Sequence, residues 1–156
     1  MPARHKSRQK AMQILFLWDF SGLGIDEAIS TFYSSLYAAE QEEEKGIDVD
    51  VPAAQDLFME TLARGCAQEA ESINALIVKC AANWRLDRMP VVDRNILRMA
   101  IYELKFVGTP PAVVIDEALE LARRYSEEDA VPFINGVLDA VRKTLLQGEQ
   151  VSQTAG

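Results

Sequence analysis

The chain has 156 residues, of which 49% are apolar and 26% are charged, and its formal net charge is −8. This composition is typical of one globular protein with a real core, and it argues against several large domains and against wholesale nucleic-acid binding. The longest apolar run, residues 14–18, is far shorter than the roughly 20 residues of a membrane-spanning helix, and no signal segment opens the chain. We therefore expect a cytoplasmic protein.

The beginning of the chain is basic, in contrast to the rest. The first ten residues contain no acid, while all 24 acidic residues follow. The four cations in this segment are Arg4, Lys6, Arg8 and Lys10. Two interpretations remain open, a solvated terminus or a basic arm that binds phosphate groups.

Helical spacing runs through nearly the whole chain and no segment keeps a period of two, so the sequence predicts an all-α fold. The first helix is expected over residues 6–20, with the sequence SGLG ending it. The second helix is expected to begin near Asp26, as its N-cap, and to end in the acidic run 40–46, which we interpret as a solvated linker.

The first predicted helix carries two apolar stripes. The stripe expected to pack in the core consists of Ala11, Ile14, Leu15 and Trp18. A second stripe, roughly 100–180° away around the helix, consists of Met12, Phe16 and Phe20. Because one core covers only one face, the second stripe predicts a neighbouring helix or a partner.

Proline and glycine punctuate the remaining helices. Pro52 suits the first position of a third helix, whose apolar positions keep helical phase to about residue 84 unless Gly65 or the polar segment 68–72 divides it. Pro90 opens the next helix and Gly108 ends it.

The last two helices begin at residues 109–111, with the sequence TPP, and at Ser126, which is followed by three acids as at a capped helix start. The expected architecture is a compact bundle of about seven helices in two packed helical subdomains. We place these subdomains at residues 1–66, with the basic arm, and 67–146, followed by a disordered tail at 147–156.

The sequence offers few of the residue combinations that form catalytic sites. The single histidine, His5, lies in the basic segment, and the glycines lie at helix ends rather than in a phosphate-binding loop. Cys66 and Cys80 are separated by apolar helical sequence without a CxxC motif, which favours buried thiols. We expect no enzyme activity, no cofactor and no metal.

Four segments occur in a distinctive order: RQKAMQILFLW at 8–18, DRNILRMAIYEL at 93–104, VIDEALELA at 114–122 and FINGVL at 133–138. In this order and spacing they resemble the NusB family of bacterial transcription antitermination factors. The resemblance covers roughly residues 4–145 and leaves the acidic run and the tail without counterparts.

This resemblance implies two helical subdomains and an RNA-binding function without catalysis. The family binds boxA RNA of ribosomal RNA transcripts as a heterodimer with NusE, a small-subunit ribosomal protein, and so promotes readthrough by RNA polymerase in the antitermination complex. The alternative is a helical protein-protein adaptor without its own RNA binding. The same fold is also appended to ribosomal RNA methyltransferases, but this chain has no room for a methyl-donor domain.

The resemblance also implies functional residues. The RNA-binding positions are Arg4, Lys6, Arg8, Lys10, Asp129 and Phe133. The NusE-binding positions are Phe16 and Asp93. Phe133 is in helical phase with Val137, so a core role stays open beside base stacking. An exposed Phe16 leaves a homodimer of the free protein open as well.

Overall fold

The computed structural model describes residues 3–43, 55–81 and 83–154. Within these ranges it contains seven α-helices, a 3₁₀ turn at Leu86–Arg88, a π-helical segment at Glu103–Val107 and no β-strand. The predicted all-α fold with about seven helices is confirmed. Contacts divide the chain into two units, Met1–Arg64 and Gly65–Gly156.

The first unit contains α1 (Arg4–Ser21), α2 (Ile25–Glu43) and the first half of α3 (Leu57–Gln68). Helix α1 ends as predicted, because Gly22 adopts a φ of 75°, which glycine reaches without steric cost. Helices α1 and α2 pack against each other. The buried apolar side chains of this unit include Ala11, Met12, Ile14, Leu15, Ala28, Ile29, Met59 and Leu62.

Helix α2 differs from its prediction at both ends. It begins at Ile25, so Asp26 lies in its first turn rather than at the N-cap. It continues to Glu43, through part of the acidic run that we interpreted as a linker. Glutamate and glutamine are good helix formers, and extending a helix costs far less than starting one. The expected helix start at Pro52 lies outside the described residues.

Of the two divisions left open for the third helix, the one in the polar segment 68–72 is observed: α3 ends at Gln68 and α4 (Ala70–Cys80) begins after Glu69. Gly65 lies inside α3 and has a different role. A Cβ atom at this position would lie 2.0 Å from Cζ of Tyr102, so glycine allows α3 and the tyrosine ring to approach closely.

The second unit is built around α5 (Val91–Tyr102), which packs against α4, α6 (Pro111–Tyr125) and α7 (Ala130–Thr154). Helix α5 follows Pro90, as predicted, and continues into the π-helical segment, which Gly108 ends with a φ of 80°. The buried apolar side chains of this unit include Ile73, Ile77, Ile96, Leu97, Ile101, Val114, Leu121, Ile134, Leu138 and Val141.

Arg98 of α5 is a buried cation with a structural role. Its Nη1 donates to Oδ1 of Asn95 at 2.8 Å, and its Nε donates to Oδ1 of Asn74 at 3.0 Å. Asn95 is held in turn by a hydrogen bond from its Nδ2 to the carbonyl oxygen of Val91, at 2.9 Å. The guanidinium therefore ties α4 to α5 inside the second unit.

The start of α7 differs from the prediction. Ser126 is the C-cap of α6, and α7 begins only at Ala130. The serine hydroxyl donates to Oδ1 of Asp93, so it bonds to α5 rather than to the next helix. At its other end α7 continues to Thr154, into the region expected to be disordered. Helix extension is easier than nucleation, and this segment lacks proline.

Candidate nucleic-acid interface

Residues 4–10 of the basic segment form the first two turns of α1 rather than a separate arm. Helix α1 begins at Arg4, and the backbone N–H of Lys6 donates to the carbonyl oxygen of Ala3 at 3.0 Å. Arg4 and Lys6 are exposed. The Arg4 guanidinium lies 4.5 Å from the centre of the Phe58 ring, so this cation is held against the surface by an aromatic side chain.

Arg8 corrects the expectation that all four cations reach solvent. Its residue surface is only 3% exposed, and its guanidinium lies 5.4 Å from the Phe58 ring centre. The physical reason is helical phase, because Arg8 shares a stripe of α1 with Ala11 and Leu15, which are also buried. Arg8 therefore packs within the protein instead of forming a mobile contact to phosphate.

Asp56 contacts the basic segment, although the two are far apart in the sequence and this contact was not predicted. Both its carboxylate oxygens lie within hydrogen-bond distance of the Ser7 hydroxyl, at 2.8 and 3.0 Å. The same carboxylate accepts from the backbone N–H of Met59 at 3.0 Å and lies 3.8 Å from Nζ of Lys10. Asp56 thus caps α3, binds the start of α1 and partly neutralises Lys10.

The second apolar stripe of α1 is divided between core and surface. Met12 is buried, whereas Phe16 is 39% exposed and Phe20 is 73% exposed. The two phenylalanine rings stack with their centres 5.6 Å apart and their planes 15° apart. This stacked pair is a compact aromatic surface of the kind that is enriched in protein interfaces.

The predicted residues near α7 occupy different environments. Asp129 is exposed and directly precedes α7, while Phe133 is half-buried in its first turn. The Phe133 ring contacts Trp84, with ring centres 5.4 Å apart and planes 59° apart. Phe133 is therefore neither a fully buried core residue nor a freely exposed ring.

Asp93 does not lie on the surface as the partner prediction requires. It is 6% exposed and accepts a hydrogen bond from the Ser126 hydroxyl. Burial raises the pKa of Asp93; the Ser126 hydrogen bond opposes this rise, and the nearby carboxylates of Asp129 and Glu127 add to it. Asp93 belongs to an acidic group with these two residues, but its own carboxylate is largely covered.

Trp84 is the residue that sequence reasoning missed. Its helical phase with Ile77 and Cys80 suggested a core position, but α4 ends at Cys80 and Trp84 lies in the following loop. It is 59% exposed. In the sequence, the feature that could have indicated a loop at Trp84 is its position next to Arg85 and six residues before Pro90.

In the described part of the chain, no group of three or more His, Cys, Asp or Glu residues is arranged to hold a metal ion. Among the helices described, none is both long and apolar enough to cross a membrane.

Comparison with known proteins shows the family. The family model described as the NusB family matches residues 5–143. This chain belongs to the NusB family. A curated relative from Solibacter usitatus, named transcription antitermination protein NusB, is 45% identical over 145 residues, covering 93% of this chain and 92% of the relative.

Solved NusB structures share the fold. A structure of T. maritima NusB matches with a TM-score of 0.72 and 30% identity, covering 91% of this chain and 92% of that one. A crystal structure of antitermination factors NusB and NusE in complex with double-stranded RNA matches with a TM-score of 0.71 and 28% identity, covering 90% of this chain and 96% of that one.

Proposed function

We propose that this chain is an RNA-binding transcription antitermination factor that binds boxA RNA of ribosomal RNA transcripts as a heterodimer with NusE and promotes readthrough by RNA polymerase. The observation that carries the proposal is the match, along nine-tenths of this chain, to a NusB protein solved with both NusE and RNA. The relative from Solibacter usitatus, named transcription antitermination protein NusB, supports the same process.

The proposed RNA contacts lie in each of the two units and differ from those expected from sequence. In the first unit, Arg4 and Lys6 are exposed cations suited to phosphate oxygens, while Asp56 partly offsets the positive potential of Lys10. Arg8 acts as a positioning residue, since it shares the Phe58 ring with Arg4. Asp129 is exposed and can accept hydrogen bonds from base or ribose donors, and Phe133 supports base stacking.

The NusE surface is proposed to centre on Phe16, extended by its stacked neighbour Phe20. An exposed aromatic pair supplies a large contact area with few rotatable bonds. In the second unit, Asp93 is proposed to favour NusE binding through the negative potential that it shares with Glu127, because a ribosomal protein is expected to be basic. The same exposed Phe16 supports a homodimer when NusE is absent.

Binding alone accounts for this proposed role, and no catalytic step by this chain enters it. A factor that acts on RNA polymerase works where transcription takes place, which in a bacterium is the cytoplasm.

The experiment is a titration of fluorescently labelled boxA-type RNA with the protein, alone and with NusE, at several salt concentrations. We expect NusE to tighten RNA binding, and we expect affinity to fall steeply as salt rises because phosphate contacts release counterions. Replacing Arg4 and Lys6 together by Ala should make the dependence on salt shallower, by roughly 1.5 in log–log slope.

The adaptor alternative has one observation in its favour: half of the predicted basic arm is engaged with protein, since Arg8 is buried and Lys10 lies beside Asp56. An adaptor would bind NusE through the Phe16–Phe20 pair without contributing to RNA affinity. If NusE binds RNA equally well with and without this chain, the antitermination proposal is wrong and the adaptor is correct.

A further inference from the structure

Trp84 is a large side chain to which neither the expected RNA site nor the expected NusE site assigns a role. It lies between α4 and the 3₁₀ turn and is 59% exposed. An exposed indole offers a large apolar surface and an N–H donor, so it is suited to contact a partner.

The loop that carries Trp84 is held by hydrogen bonds. The backbone N–H of Trp84 donates to the carbonyl oxygen of Ala81 at 2.9 Å. From α5, Nη1 of Arg94 lies 3.3 Å from the carbonyl oxygen of Met89 and 3.5 Å from that of Leu86. These contacts hold the backbone on either side of Trp84.

One part of the indole packs on Phe133, with ring centres 5.4 Å apart. Phe133 is half-buried and supports the indole from α7, while more than half of the Trp84 surface remains accessible. The pair therefore forms a two-ring platform in which the accessible ring is Trp84 and the supporting ring is Phe133.

The charges beside the platform favour a nucleic acid. Arg85 and Arg88 follow Trp84 closely and both are exposed. Asp87 forms an ion pair with Arg85 at 3.1 Å, which is weak because both partners are about two-thirds exposed. An exposed aromatic ring next to arginines is typical of sites where an unpaired base stacks while cations contact the phosphates.

We propose that Trp84 is a base-stacking residue for single-stranded RNA, with Phe133 as its support and with Arg85 and Arg88 as phosphate contacts. This inference rests on the proposed RNA-binding function and deepens it, by moving the stacking role from Phe133 to the more exposed ring. It assigns to Phe133 a positioning role, which explains why that residue is half-buried.

Fluorescence tests the contact directly, because the chain has two tryptophans, Trp18 in α1 and Trp84. In the Trp18→Phe variant the tryptophan emission of this chain comes from Trp84 alone, and boxA-type RNA added with NusE should quench that emission. In the matched Trp84→Phe variant the tryptophan emission of this chain comes from Trp18 alone, and the same RNA should leave it nearly unchanged. Equal quenching in the two variants would contradict the proposal.

Affinity gives the second readout. Trp84→Ala should weaken RNA binding about tenfold at unchanged salt slope, because stacking is not a charge interaction, whereas Trp84→Phe should retain binding within about threefold. Arg85→Ala combined with Arg88→Ala should lower the salt slope by roughly 1.5. Circular dichroism of each variant checks that the helices are intact.

The outcomes separate the two proposals. If Trp84→Ala binds RNA as tightly as the parent while Lys6→Ala binds more weakly, the stacking role is wrong and the RNA-binding function stands. If the parent protein adds no RNA affinity even with NusE, the proposed function itself fails. If Trp84→Ala loses binding to NusE in the absence of RNA, Trp84 contacts protein and the stacking role is overturned.

Discussion

The starts of α1 and α7 were both expected to bind RNA, but their side chains differ in exposure. At the start of α1 two of the four cations contact protein, since Arg8 is buried and Lys10 lies beside Asp56. At the start of α7 an aromatic ring is exposed, because Phe133 packs against Trp84 and Trp84 remains accessible to solvent. The comparison teaches that net charge along a segment does not reveal which cations solvent can reach.

The largest effect should come from Asp56, which joins α1 to α3. Asp56→Ala removes the acceptor for the Ser7 hydroxyl and for the N–H of Met59, so we expect a loss of about 3 kcal/mol in the free energy of unfolding. Urea denaturation measures this loss. Asp56→Asn keeps an acceptor and should lose clearly less; equal losses would show that the cap does not matter.

The next largest effect is the difference in stability loss between substitutions at Arg8 and at Lys6, which lie two residues apart. Arg8→Ala should lower the free energy of unfolding by about 2 kcal/mol, because a buried side chain and its contact with Phe58 are removed. Lys6→Ala, at an exposed position, should change it by less than about 0.5 kcal/mol. Similar melting temperatures for the two variants would contradict the inward orientation of Arg8.

The exposed cations should matter for RNA rather than for stability. Arg4→Ala combined with Lys6→Ala should weaken boxA-type RNA binding about tenfold at low salt, a cost of roughly 1.4 kcal/mol, with little change in unfolding. Fluorescence anisotropy at several salt concentrations measures the affinity. If the double variant binds RNA with unchanged affinity, the RNA contacts of this chain lie elsewhere, for example around Trp84.

The smallest effect concerns the pH dependence at Asp93. Its pKa is raised in the folded protein, chiefly by burial, so its protonated form is favoured by folding. The contribution of Asp93 to stability should therefore be greatest at acidic pH and should decrease as pH rises through the raised pKa. The parent protein should lose stability relative to Asp93→Asn, by under about 1 kcal/mol, between acidic and neutral pH.

Urea denaturation of the parent and of Asp93→Asn in parallel, at several pH values, cancels the titration of all other groups. A difference that does not depend on pH would show that Asp93 titrates as an exposed carboxyl, and would restore it as a surface contact for NusE.

Much of the fold could be predicted because helical periodicity and helix ends are local properties. Gly22 and Gly108 end helices in the left-handed conformation, and Pro111 starts one, as expected. The long-range contacts could not be predicted. Nothing near Arg8 in the sequence indicates that Phe58 will lie against it, and nothing near Asp93 indicates that Ser126 will cover it.

The candidate site could be predicted less well, for the same reason. Arg8 lies on the same helical stripe as the buried Ala11 and Leu15, and treating residues 4–10 as a solvated arm overlooked this phase and so misjudged the exposure of one cation. Trp84 shows the opposite case. Its helical phase predicted burial, but α4 ends four residues earlier and the ring is left exposed.

The central claim is that this chain contributes to selective recognition of boxA RNA together with NusE. A competition experiment tests it most directly: labelled boxA RNA bound to the protein and NusE is displaced by unlabelled boxA RNA or by a scrambled RNA of the same length and composition. We predict that boxA RNA displaces the label at a concentration at least about tenfold lower than the scrambled RNA, a discrimination of roughly 1.4 kcal/mol. Equal displacement by the two RNAs would contradict the account.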